Sequence, residues 1–158
     1  TSVTIPDSVT SIGNSAFRDC SSLTSITIPD SVTSIGDYAF YGTNSVKKFT
    51  FSKNLESIGH DAFAETKWYN SALAATVDHL VINGIIIGSN KKTGTLIIPE
   101  GIKKIAPYVF LDATGLTSVT FPNSLTEIGE YAFFDRDVSV GNKDLRTKGF
   151  YGKQSIGI

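Results

Sequence analysis

The chain of 158 residues is 41% hydrophobic and 18% charged, which is the composition of a folded protein with a core and not of a disordered segment. Fourteen basic residues against fifteen acidic ones leave a net charge of −1, so no global field draws the chain to nucleic acid or to an anionic membrane. No run approaches the roughly 20 apolar residues of a membrane span, so no membrane insertion is expected; the one cysteine, Cys20, excludes an internal disulfide and leaves the redox compartment open.

Residues 2–13 read SVTIPDSVTSIG, and residues 25–36 read SITIPDSVTSIG. The chain therefore opens inside a repeat, and with no methionine it is expected to be a segment of something longer. Five copies align at a period of 23: residues 1–22, 23–45, 46–68, 93–115 and 116–138. Each begins with a strand in which alternate positions face inward, namely Val3, Ile26, Phe49, Leu96 and Val119, then Ile5, Ile28, Phe51, Ile98 and Phe121. Proline, which donates no ladder hydrogen bond, closes four of the strands, at Pro6, Pro29, Pro99 and Pro122, while Ser52 takes that place in the third copy. A second apolar edge follows at Val9, Val32, Leu55, Ile102 and Leu125 and at Ile12, Ile35, Ile58, Ile105 and Ile128.

A third edge begins at Gly13, Gly36, Gly59, Ala106 and Gly129 and leads to an unbroken column of Phe17, Phe40, Phe63, Phe110 and Phe133. Ala16, Phe17 and Cys20 mark one apolar side of a single helical turn, with Asn14 and Asp37 as its N-caps and Pro107 just inside its start. The glycine column is expected to supply positive φ, with Ala106 excepted because it precedes a proline. One coil of this kind cannot bury three apolar edges alone, whereas stacked coils bury them against one another. The fold class is therefore a mostly-β repeat solenoid, with a parallel β-sheet on one face and short helical turns on another.

The string L-x-x-I-x-I-P-x-x-V-x-x-I-G-x-x-A-F, complete from Leu23 to Phe40, resembles the leucine-rich repeat of BspA-like bacterial surface proteins. The resemblance covers roughly residues 1–138, with departures at Ser52 and Ala106. It implies a right-handed superhelix, an extracellular or cell-surface location, and adhesion to host or microbial proteins without catalysis.

Between the third and fourth copies, residues 69–92 follow another pattern. Leu80, Val81 and Ile82 and then Ile85, Ile86 and Ile87 flank Asn83-Gly84, the signature of a two-residue hairpin whose central positions both need positive φ. So apolar a hairpin is expected to replace one coil of the stack, with Trp68 and Tyr69 sealing the junction; variant coils opening with a Trp-Tyr pair are also familiar among BspA-like relatives. In residues 139–158, Leu145, Gly149, Phe150, Tyr151 and Gly152 echo the Ile35 to Gly42 pattern, and the segment is read as a degenerate cap or, equally, as an arbitrary boundary of the piece. The whole chain is thus expected to form a single solenoid over 1–158.

No catalytic motif accompanies the repeats: there is no G-x-S-x-G, no H-E-x-x-H and no phosphate-cradling glycine loop. Cys20 shares its column with Thr43, Thr66, Ala113 and Arg136, which favours packing over nucleophilic chemistry. His60, one coil from Asp37, belongs to a turn-entry column and has too few neighbours for a metal ligand set; His79 has no partner that the sequence identifies. No enzyme activity, cofactor or metal is implied.

Two surfaces are candidates for contact. Tyr108, Leu111, Tyr131 and Phe134 occupy outward positions of adjacent turns and form an apolar patch, unless residues 139–158 fold back and cover it with Phe150 and Tyr151. The weaker candidate is the outward strand file of Thr27, Lys48, Thr50 and Thr120, where threonine is equally favoured as a structural ladder, and where ordering of water as in ice-binding solenoids is the remotest reading. The function read from the sequence is a non-enzymatic, adhesin-type module that binds an extracellular host or microbial protein or a glycan. The alternative is a structural spacer or assembly segment. The strand Ser2 to Ile5 and the first coil's apolar face are a further candidate, for self-association.

Overall fold

The computed structural model describes residues 2–134 and the strand residues Gln154 and Ser155. The chain divides into two compact units, residues 1–76 and residues 77–158.

In the first unit, three strands pair in parallel: β1 (Ser2–Thr4), β3 (Ser25–Thr27) and β5 (Lys48–Thr50). Val3 lies opposite Ile26 and Ile26 opposite Phe49, the register set by the 23-residue period. Two-residue strands make the second wall, β2 (Ser11–Ile12), β4 (Ser34–Ile35) and β6 (Ser57–Ile58), with Ile12, Ile35 and Ile58 in line. Between these walls each proline closes a tight turn, as where the Val32 amide donates to the Pro29 carbonyl at 3.0 Å. Ser52, in the proline column, is fully buried and replaces that rigidity with hydrogen bonds. Its hydroxyl donates to the Val32 carbonyl at 2.7 Å and accepts from the Asn54 amide at 3.1 Å.

The third wall consists of single turns closed by bonds to the third preceding residue, such as Ala16 to Gly13 and Arg18 to Ser15. The alternate amides point to the next coil: Ser15, Phe17 and Asp19 donate to the carbonyls of Asp37, Ala39 and Tyr41. Within this ladder the phenylalanines form a stacked file, with Phe17, Phe40 and Phe63 at centroid distances of 5.2 and 5.6 Å. Asn14 and Asp37 do not cap their own turns. Their Oδ1 atoms instead accept from the backbone amides of Asp37 and His60 in the next coil, at 2.9 and 2.8 Å.

The glycine column also differs from expectation. Gly13, Gly36, Gly59 and Gly129 do not have positive φ; the left-handed positions lie two residues further on, at Ser15, Tyr38, Asp61, Tyr108 and Tyr131. What excludes a side chain at Gly36 is space, since a Cβ there would lie 2.7 Å from the Asn14 amide nitrogen and 2.9 Å from the Gly13 carbonyl carbon. Gly13 has nothing within 4 Å of its Cβ position. Ala106 is tolerated for the same reason of neighbourhood: its amide donates to Ile86 of the hairpin and not to a regular coil.

The first unit closes with a helix absent from the sequence reading, α1 (Lys67–Ala75), whose N-cap Thr66 accepts from the Tyr69 amide through its hydroxyl. The helix starts by laying Trp68 against Phe49, Phe51 and Phe63, at centroid distances of 5.2, 5.1 and 5.5 Å. Tyr69 is half-buried, and that burial, with Asp61 as the lesser cause, pushes its pKa up to about 12.

The second unit begins with the expected hairpin, β7 (His79–Ile82) against β8 (Ile85–Ser89), turning through Asn83 and Gly84 at φ of 50° and 77°. Leu80, Ile82, Ile85 and Ile86 are buried, because β8 pairs in parallel with β10 (Lys104–Ile105), which pairs in turn with β12 (Glu127–Ile128). Ile86, Ile105 and Ile128 thus continue within this unit the isoleucine column that forms the second wall of a coil. On the other wall β9 (Thr93–Ile97) pairs in parallel with β11 (Gly115–Thr120), with an irregularity between Leu116 and Ser118. The pair Phe110 and Phe133 stacks at 4.8 Å. Strand β13 (Gln154–Ser155) runs antiparallel to β12. Apart from it, the proposed cap over 139–158 lies outside the described residues.

Candidate binding surface

The four turn-face candidates are held by the third-wall ladder of the second unit. Tyr108, Phe110 and Asp112 donate their amides to the carbonyls of Glu130, Ala132 and Phe134. Phe110 is buried on this ladder, whereas Tyr108, two residues earlier in a left-handed conformation, is only half-buried. Tyr108 and Tyr131 sit at φ of 63° and 53°, a left-handed conformation unfavourable for bulky residues by about 1 kcal/mol. Their rings offset this by packing together: Tyr108 and Tyr131 lie 5.2 Å apart, and Phe134 meets Tyr131 edge-on at 5.3 Å. Tyr131 is 45% exposed, while Tyr108, Leu111 and Phe134 are half-buried. Leu111 occupies the turn position of Phe134 one coil earlier. Phe150 and Tyr151, the expected cover, lie outside the described residues.

Charge borders this row. Asp112 and Glu130 are exposed on its two sides. The Lys92 ammonium donates to the carbonyls of Val109 at 3.1 Å and Leu111 at 3.5 Å; burial lowers its pKa, and Asp112 opposes that shift.

The same two columns carry a second cluster in the first unit, which the sequence reading missed. Tyr38 and Tyr41 meet edge-on at 5.7 Å, and the Arg18 guanidinium lies over both rings at 5.5 and 5.1 Å, with Asp19 at 3.5 Å. His60 closes the cluster, its ring 5.0 Å from Tyr38 and its Nε2 3.3 Å from Asp61. The signal was available: Tyr38 and Tyr41 stand in the columns of Tyr108 and Leu111.

The weaker candidates are also where the alternation puts them. Thr27, Lys48 and Thr50 are exposed on β3 and β5, and Thr120 is exposed on β11 beside the 65% exposed Ile97. The hydroxyls of Ser118 and Thr95 bond across this sheet at 3.1 Å, so part of the file is a structural ladder. Cys20 is a half-buried free thiol. His79 directs Nδ1 to the Ser89 hydroxyl at 3.0 Å and its ring edge-on to Phe110, and burial lowers its pKa. Among the described residues no group of three or more His, Cys, Asp or Glu is placed to hold a metal ion, and no helix is long and apolar enough to cross a membrane.

Among solved structures the chain is similar to a leucine-rich repeat protein of T. pallidum, at 26% identity over 84% of this chain and 53% of that one, with a TM-score of 0.47. It is also similar to a leucine-rich cell surface protein of Faecalibacterium prausnitzii, at 28% identity over 84% of this chain and 28% of that one, with a TM-score of 0.44. The chain thus spans about half of the first protein and under a third of the second. No curated protein shows a significant match. The profile described as the BspA type leucine-rich repeat region matches residues 1–81 and 88–146 in six copies, and the chain belongs to that family.

Proposed function

We propose that the chain is a non-enzymatic binding module of a bacterial cell-surface or secreted protein, and that it engages an extracellular host or microbial protein, or a glycan, through its turn face. The observation that carries this reading is the aromatic row of Tyr108, Tyr131 and Phe134 on a hydrogen-bonded ladder, with two tyrosines in an unfavourable backbone conformation. Aromatic side chains on a rigid support bury much area with little loss of rotamer freedom, and such residues dominate interface energetics. Membership of the BspA-type family supports the surface location and the binding role. A spacer between neighbouring domains would bind nothing through its lateral faces.

The test is the double variant Tyr108→Ala, Tyr131→Ala, compared with the parent chain for thermal stability and for binding to immobilised extracellular-matrix and microbial surface proteins. Binding lost at an unchanged melting temperature supports a contact surface. A lowered melting temperature with binding retained assigns the row to the core and the binding to another face.

A further inference from the structure

The one Asn-Gly pair of the sequence, Asn83-Gly84, forms the two-residue turn of the hairpin, with φ of 50° and 77°. We propose that this pair is a site of spontaneous covalent modification which the closed turn suppresses, and whose isoaspartyl product keeps the hairpin from closing again.

The reaction begins when the Gly84 amide nitrogen, giving up its proton, attacks Cγ of the Asn83 side chain. The N–Cγ bond forms, the Cγ–Nδ2 bond breaks, and the side-chain nitrogen leaves as ammonia with the proton. Water then opens the resulting succinimide at either carbonyl. Opening on the Cγ side gives aspartate. Opening on the backbone side gives isoaspartate, whose main chain runs through Cβ and Cγ and is longer by a carbon. Water is the sole co-reactant. Glycine hinders the attack least because it lacks Cβ, whereas Asn14, Asn44, Asn70 and Asn123 precede serine and the other asparagines precede larger residues.

Ring closure needs the Gly84 nitrogen and Asn83 Cβ on the same side of the Asn83 Cα–C bond. A turn with positive φ at both central residues holds ψ of the first near about 30°, which places that nitrogen on the side away from Cβ. Three features keep the pair in this turn. Ile82 and Ile85 face each other across it, and both are buried. The Gly84 carbonyl accepts from the Lys103 and Lys104 amides of the following coil, at 2.8 and 3.2 Å. A Cβ at Gly84 would lie 3.0 Å from the Gly101 carbonyl oxygen, so neighbouring backbone closes that flank as well. Asn83 itself is exposed, so the barrier is the backbone angle and not the access of water.

The two products affect the hairpin differently. Aspartate followed by glycine suits the same turn. Isoaspartate inserts a carbon into a connection whose length sets the strand register, so Ile82 can no longer oppose Ile85 while the Gly84 carbonyl stays seated on Lys103 and Lys104.

The experiment incubates the whole chain at mildly alkaline pH, folded and in guanidinium chloride, and follows each asparagine by peptide mapping and mass spectrometry. Isoaspartate is scored with an isoaspartyl methyltransferase. In denaturant Asn83 is expected to react faster than any Asn-Ser pair; in the folded chain it is expected to be slowed by about tenfold or more, a factor within the range of local opening equilibria. Ile85→Val, which keeps the Asn-Gly pair and loosens its flank, is expected to recover part of the lost rate. Isoaspartyl chains made in denaturant and returned to native buffer are expected to lose hydrogen-exchange protection at the Lys103 and Lys104 amides, by local opening or by failure to refold, while aspartyl chains and an Asn83→Asp variant keep it. Equal rates at Asn83 in the folded and denatured chain, or a folded rate unchanged by Ile85→Val while Lys103 exchange quickens, overturn suppression by the turn. Isoaspartyl chains that protect Lys103 and Lys104 as well as the parent overturn the one-way effect of the product.

Discussion

Replacing Gly36 by alanine introduces one methyl group at a point where the adjoining atoms are backbone. The new Cβ would meet the Asn14 amide nitrogen at 2.7 Å and the Gly13 carbonyl carbon at 2.9 Å, distances that side-chain rotation cannot relieve. The second coil would have to move away from the first. Two bonds resist that movement: the Gly36 amide to the Ile12 carbonyl at 2.8 Å, and the Asp37 amide to Asn14 Oδ1 at 2.9 Å. Overpacking of this sort costs about 1 to 3 kcal/mol, and weakening one of the bonds adds about 1 kcal/mol, so Gly36→Ala is expected to destabilise by about 2 to 4 kcal/mol. Gly13→Ala is the control, because nothing lies within 4 Å of the added methyl and φ is not positive. It is expected to be neutral, or stabilising by up to about 1 kcal/mol through the unfolded chain. Urea unfolding of the two variants side by side measures the difference. If Gly36→Ala falls within about 0.5 kcal/mol of Gly13→Ala, close approach of consecutive coils is not what the glycine column serves.

Phe63→Ala removes a ring that packs on Phe40, Phe49, Phe51 and Trp68, and a loss of about 3 to 5 kcal/mol in chemical denaturation is expected; a loss under about 1 kcal/mol is incompatible with a buried spine. Ser52→Ala deletes the hydroxyl bonded to the Val32 carbonyl and the Asn54 amide inside the core, so a loss of about 1 to 3 kcal/mol is expected, and an unchanged midpoint would show that a methyl suffices there. His79 has its pKa lowered from 6.5 by burial, with Lys91 acting in the same direction and Asp78 opposing. Above 6.5 the imidazole is neutral in both states; as pH falls below that value the unfolded chain takes up the proton first, so stability declines until the folded pKa is passed. Melting temperatures from pH 7.5 down to 5 should fall less steeply in His79→Gln than in the parent, and identical slopes would remove His79 from the account.

Inward and outward positions were legible in the sequence because burial selects residue type directly. Ile26, Ile28, Ile35, Phe40 and Leu55 are apolar where the coil is closed, and Asn83-Gly84 needs positive φ that few other pairs tolerate. The reason for the glycine column was not legible, since a glycine required by space and one required by φ look the same as letters. The left-handed column was hidden for the opposite reason: it is filled by Ser15, Tyr38, Asp61, Tyr108 and Tyr131, of which Asp61 alone is a residue type that favours that conformation. Helix α1 was obscured by the expectation of a coil, although Thr66 is a sound N-cap. On the candidate surface, the Tyr108 to Phe134 row followed from the period alone. The Arg18 cluster was equally available in those columns, but its cation does not register as an apolar outward residue.

The ladder of Asn14, Asp37 and His60 has a bearing on how such arrays change length. Each bond in it joins a group to one 23 residues away, so a duplicated coil arrives carrying both the acceptor its successor needs and the donor its predecessor awaits. Gain or loss of an entire coil leaves every interior pairing intact, whereas a single inserted residue misaligns donors with two neighbours at once. The hairpin is different: β7 and β8 satisfy much of their backbone between themselves and offer a single strand, β8, to the following coil. It is therefore the place where a sequence of another period can lead into the repeat, which runs in register behind it.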